Sequence, residues 1–198
     1  MLGDLPSRAG AVAFVADLHD PSAPAIVGST TFKGSVLALY AVDDTHLLAV
    51  GDDTTPDPRS FGGLRLQLFD ASDPTSPHAT DSVGIAGRPP YPDDVKSIGF
   101  DAASGLLRVP VRQEATGPSQ AFPPFEMRVF DVSAERGLTE LPAAEKLGIG
   151  SPARRTFVLD DDLYPVRFNN VSAYGLPAFD ELARLPLPSY YAGRFAWP

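Results

Sequence analysis

The sequence predicts an all-β fold, a partial β-propeller of about three four-stranded antiparallel blades plus a half blade. Three observations predict it. The eight-residue phrase "DLHDPSAP" at residues 17–24 returns as "DASDPTSP" at residues 70–77, each time after a run rich in apolar residues. A third copy of the same pattern, "FEMRVFDVSAERG", carries Asp131 at the anchor, and a fourth, "NVSAYGLPAFDELARLPL", has Gly175 there. Anchors at 17, 70, 131 and 175 stand 53, 61 and 44 residues apart, and periods of this size, built from strands, suggest propeller blades of four strands each. Finally, an acidic or small turn between two apolar runs precedes each of the last three anchors: "VLALYAV-DDTH-LLAVG", "KSIGF-DAASG-LLRVPV" and "RTFVL-DDD-LYPVRF". Each reads as a hairpin, because Asp, Ser and Gly tolerate turn dihedrals.

Every blade then takes the order strand a, hairpin, strand b, connection, strand c, Asp turn, strand d. The first blade is expected at 35–42, 46–51, 64–70 and 78–84. The second takes 95–101, 105–111, 125–132 and 138–146, and the third 154–159, 163–168, 170–175 and 181–186. Residues 11–17 and 25–31 supply only strands c and d, so the chain is expected to begin in mid-blade. Blade boundaries fall at 11–31, 35–84, 95–146 and 154–186, within a propeller region of 11–188. Residues 1–10 form an N-terminal segment and 189–198 a C-terminal tail. Helical periodicity is weak throughout; "PAAEKLG" resembles a helical turn but falls where a strand is expected. Two other folds fit the strand pattern: a closed four-bladed ring whose half blade is completed by "YYAGRFAWP", and a β-sandwich.

The repeated phrase is punctuation. Asp17 and Asp70 are expected to close strand c, their carboxylates accepting backbone N–H groups just downstream, and Asp131 is expected at the corresponding structural turn of the third copy. Asp20-Pro21 and Asp73-Pro74 start a rigid turn, because proline fixes φ and cannot extend a ladder. Pro24 and Pro77 enter the outer strand d, where a missing donor faces solvent.

Composition narrows the function classes. The 198 residues carry a net charge of −9, which disfavours the clustered Lys and Arg of a nucleic-acid interface. No apolar run reaches the roughly 20 residues of a membrane helix. "AGAVAFVA" is short, lacks a basic leader and reads as a strand rather than a signal peptide. The absence of cysteine excludes disulfides and thiolate metal sites. Pro 21 and Gly 17 are dispersed, as many short elements and turns require.

The residues quoted above resemble a known family, secreted prokaryotic proteins with a C-terminal β-propeller domain. The matching segments are "DLHDPSAPAIVGSTTF", "DDTHLLAVGDD", "GGLRLQLFDASDPTSPHATDSVGI", "GLLRVPV" and "DDDLYPVRFNNVSAYGLPAFDELARLPL". The resemblance implies a propeller fold and a secreted or cell-envelope location. It implies no established activity and supplies no catalytic residues. Family members usually carry Asp-His-Lys before the "GLL-PV" strand, whereas this chain has "DVK", with Val95 in place of the histidine. Family propellers also extend further on the N-terminal side, so this chain resembles their C-terminal blades.

Catalytic motifs do not emerge. His19, His46 and His78 lack metal-site spacing and read as solvated turn residues. No G-x-S-x-G, P-loop or G-x-G-x-x-G occurs. "RSFGGLRL" leads into a strand rather than a helix, so it offers no helix terminus for phosphate. The acidic runs Asp43-Asp44, Asp93-Asp94 and Asp160-Asp161-Asp162 read as hairpin turns. Asp52, Asp53 and Asp57 form the one set whose long loop could fold back on a hard cation such as Ca²⁺; otherwise no cofactor is expected.

Long connections gather on one rim: "DDTTPDPRSFGG", "RQEATGPSQAFPP" and "AGRPPYPDDV". Loops on a rigid scaffold are where binding resides. This rim carries Asp52, Asp53, Asp57, Arg59, Phe61, Arg88, Tyr91, Asp93, Arg112, Glu114 and Phe122. Mixed charge with scattered aromatics suits a protein or glycan partner. The expected function is a non-catalytic interaction or scaffold module of a secreted or cell-envelope protein. The alternative is a propeller-type hydrolase with an axial active site. Exposed faces of the terminal blades predict self-association.

Overall fold

The computed structural model describes residues 10–53, 62–89, 95–113, 125–142, 147 and 153–188. Among the described residues, fourteen strands form one two-stranded and three four-stranded sheets, and every described pairing is antiparallel. The half blade pairs β1 (Ala11–Asp17) with β2 (Ala25–Phe32). Blade 1 runs β3 (Gly34–Ala41), β4 (His46–Asp53), β5 (Leu64–Asp70) and β6 (His78–Ile85), neighbours in that order. Blade 2 contains β7 (Gly99–Asp101), β8 (Leu106–Arg112), β9 (Phe125–Ser133) and β10 (Gly137–Glu140). Blade 3 contains β11 (Arg155–Leu159), β12 (Asp162–Val166), β13 (Asn170–Gly175) and β14 (Asp180–Pro186). The fold class is therefore all-β, three four-stranded blades and a half blade of a partial propeller.

Four details depart from the sequence expectation. Residues 95–97 form a short 3-10 turn rather than the start of strand a, closed by Ile98 N–H donating to Val95 O at 3.1 Å. Strand d of blade 2 stops at Glu140 instead of reaching 146. Leu141 N–H makes a last bond to Val129 O, and Pro142, having no donor, cannot continue the ladder. Strand b of blade 3 ends at Val166 rather than 168, because Arg167 N–H turns back to Asn170 O. Asp131 does not close its strand: β9 continues to Ser133, and the Asp131 carboxylate pairs with the Arg136 guanidinium at 2.8 Å. The segment "SAERG" lacks the Asp-Pro that stops strand c in the two earlier copies.

Two compact units divide the chain, Met1–Arg88 with Asp131–Thr139, and Pro89–Phe130 with Glu140–Pro198. In the first unit, alternation along β5 sends Leu64, Leu66 and Leu68 to one face and Gln67 and Phe69 to the other. All five are buried, so both faces of this strand are covered. Phe69 and Ala49 pack with Phe32 of the half blade, flanked by Ala11 and Leu47. Gln67 links the same two sheets by donating to Thr31 O at 3.3 Å and accepting from Lys33 N–H at 3.4 Å. Gly28 of β2 lies against the blade 1 Asp-Pro turn so closely that a Cβ there would sit 2.1 Å from Pro74 O. On the outer side of blade 1, the Asp81 carboxylate accepts Leu138 N–H at 2.8 Å. It thereby holds the β9–β10 turn, where Gly137 adopts φ +78 and a Cβ would strike the same carboxylate.

In the second unit Leu106, Met127 and Val129 of blade 2 share a core with Leu163, Tyr174 and Phe179 of blade 3, completed by Leu147 and Ala153. Buried Arg108 of β8 reaches the neighbouring blade, its Nε donating to Thr156 Oγ1 at 3.1 Å. The opposite face of blade 3 is open: Phe157, Leu159, Leu182 and Leu185 are all exposed.

The contrast between covered and open faces predicts a sharp difference between chemically similar truncations. Leu66 is 0% exposed and Leu185 is 62% exposed. Leu66→Ala is expected to cost about 2–5 kcal/mol in urea unfolding, as a buried cavity does, and Leu185→Ala less than about 0.5 kcal/mol.

Candidate functional site

Blade 1 displays its two ends differently. At one end the strands stop on aspartates whose side chains cap the turn that follows. Asp17 Oδ1 accepts His19 N–H at 2.8 Å, and Asp70 Oδ1 accepts Ser72 N–H at 2.7 Å. Asp20 and Asp73 repeat this three residues later, each accepting a backbone N–H at 2.9 Å and a hydroxyl at 2.7 Å, from Ser22 and Thr75 respectively. Pro21 and Pro74 follow inside turns closed by Ala23 N–H to Asp20 O and Ser76 N–H to Asp73 O, both at 3.0 Å. The hydroxyl and amide donors hold the Asp20 and Asp73 carboxyls below their usual range, and the Ser72 amide does so for Asp70.

The β3–β4 turn at this same end gathers a group that the sequence pattern did not reveal. Asp43 accepts Thr45 N–H at 2.8 Å and His46 N–H at 2.7 Å, and lies 3.0 Å from His46 Nδ1. These donors, the Thr45 amide first and the His46 ring second, lower the Asp43 carboxyl to about 2. Strand register then places His46, Asp70 and His78 directly opposite one another across β4, β5 and β6. Only the pairing register, not any sequence spacing, brings these three residues into one row.

Hydroxyl, imidazole and carboxylate meet here, yet the geometry is not that of a nucleophile relay. Thr45 Oγ1, at 3.1 Å, and Asp43 both approach His46 Nδ1. A relay needs the hydroxyl on one ring nitrogen and the carboxylate on the other. The arrangement caps a turn. Among the described residues, no group of three or more His, Cys, Asp or Glu is arranged to hold a metal ion.

The other end of blade 1 is the rim that carries the long connections. Asp53 N–H donates to Gly63 O at 2.9 Å and pins the base of the β4–β5 connection. The Asp53 carboxylate receives two bonds from Arg65, Nε at 2.8 Å and Nη2 at 2.7 Å, while Arg65 Nη1 donates to Ser82 Oγ at 2.7 Å. This bidentate pair spans β4, β5 and β6, and the Asp53 carboxylate raises the Arg65 guanidinium above its ordinary value. Asp52 accepts the Ser35 hydroxyl at 3.1 Å. Arg65, Ser82 and Ser35 were absent from the sequence reading of the rim; their alternation along known strands was the only available signal.

Of the other rim residues, Arg88 is exposed in the first unit, and Arg112 is exposed at the end of β8 in the second. Beside Arg112, Gln113 Nε2 donates to Glu126 Oε2 at 2.7 Å across the base of the β8–β9 connection. Asp57, Arg59, Phe61, Tyr91, Asp93, Glu114 and Phe122 lie outside the described residues. Val95, standing where the resembled family has histidine, is exposed on the 3-10 turn.

Four-stranded antiparallel sheets that run a, b, c, d in chain order, with capped Asp corners at one end of blade 1 and the connection-bearing end opposite, are the units of a β-propeller. A family model described as "Beta propeller domain" matches residues 13–179, and the chain belongs to that family. It is also 26% identical over 178 residues to an "Uncharacterized protein" of Archaeoglobus fulgidus, covering 88% of this chain and 24% of that one. The chain thus spans about a quarter of the length of this relative.

The Asp43 cap carries a pH signature. Its carboxyl is held at about 2, below the ordinary carboxylate range, so the folded state binds fewer protons at this group than the unfolded state. The stabilisation is present above pH 4 and is lost as pH falls toward 2. Melting temperatures measured from pH 7 to pH 2.5 are expected to fall less steeply below pH 4 in Asp43→Asn than in the parent chain.

Proposed function

We propose that this chain is a non-catalytic interaction or scaffold module of a secreted or cell-envelope protein, binding a protein or glycan through the loop-bearing rim. One observation carries the reading: the described rim carboxylates, Asp52 and Asp53, are committed to holding the base of the β4–β5 connection. Asp53 gives both oxygens to Arg65, Arg65 extends to Ser82, and Asp52 takes the Ser35 hydroxyl. A rigid base under long connections suits recognition. An axial hydrolase needs polar groups that are free to act and converge from several blades. The extracellular location rests on the family resemblance drawn from the sequence.

Surface substitution and turnover together test the module reading. Arg88→Glu and Arg112→Glu combined are expected to reduce binding on a glycan and purified envelope-protein panel at least tenfold, while the chain still folds cooperatively. Chromogenic ester, peptide and glycoside substrates are expected to show no turnover by the parent chain. Saturable turnover, unaffected by these rim substitutions, would favour the hydrolase reading instead.

A calcium ion at Asp52, Asp53 and Asp57 is the ligand reading that competes for the same rim. Such an ion would have to take Asp53 oxygens from Arg65. The expected outcome of a calcium titration is an unchanged melting temperature; a rise that Arg65→Ala enlarges would establish the cation site.

A further inference from the structure

We draw no further inference here: the strongest candidate, the His46–Asp70–His78 row at the Asp-corner end of blade 1, belongs to the turn caps already described, and among the described residues no three such side chains are placed to hold a metal ion.

Discussion

A sheet with two apolar faces is stable only when something lies against both of them, and the architecture of this chain follows from that constraint. Strands β4 and β5 make it plain. Leu48, Val50, Leu64, Leu66 and Leu68 are buried on one side, and Ala49, Gln67 and Phe69 on the other. An antiparallel sheet with one wet face would show a single alternating set of apolar residues. Here both sets avoid water, and stacking sheet on sheet meets that demand while leaving strand ends and loops at the surface.

Stacking alone would leave neighbouring sheets free to slide, because apolar contact has little directionality. Polar links remove that freedom. Gln67 reads the backbone of residues 31–33, Asp81 holds the turn before Leu138, and Arg108 reaches Thr156. Each is a long-range contact between sheets that are separate in sequence. Burying these groups is tolerable because they are bonded there. The same economy of placement governs the rim, where Asp53 and Arg65 fix the base from which a long connection departs. The described part of the rim is therefore a fixed base at the ends of β4, β5 and β6.

Much of the fold was legible in the chain because its determinants are local. The Asp-Pro phrase at 17–24 and 70–77 reports two turns with the same hydrogen bonds, and alternation in "LRLQLFD" reports a strand. Legibility failed where a single residue altered the ending. Pro142 cut strand d of blade 2 short, and the absence of Asp-Pro after Asp131 let β9 run on to Ser133. The site was less legible still. Asp52 and Asp53 were visible as carboxylates, but their partners Ser35 and Arg65 are brought to them by strand pairing. The His46–Asp70–His78 row likewise exists only once the register is set, since no spacing in the sequence marks which residues will stand opposite.

The account stands most directly on two-sided burial of the inner blade strands, and native-state amide hydrogen exchange measures it. Strands β4 and β5 of blade 1 and β8 and β9 of blade 2 are predicted to exchange slowest, at the rate of global unfolding. The exposed outer strand β14 is predicted to exchange much faster. Protection in β14 equal to or greater than that in β5 would contradict the stacked-blade account.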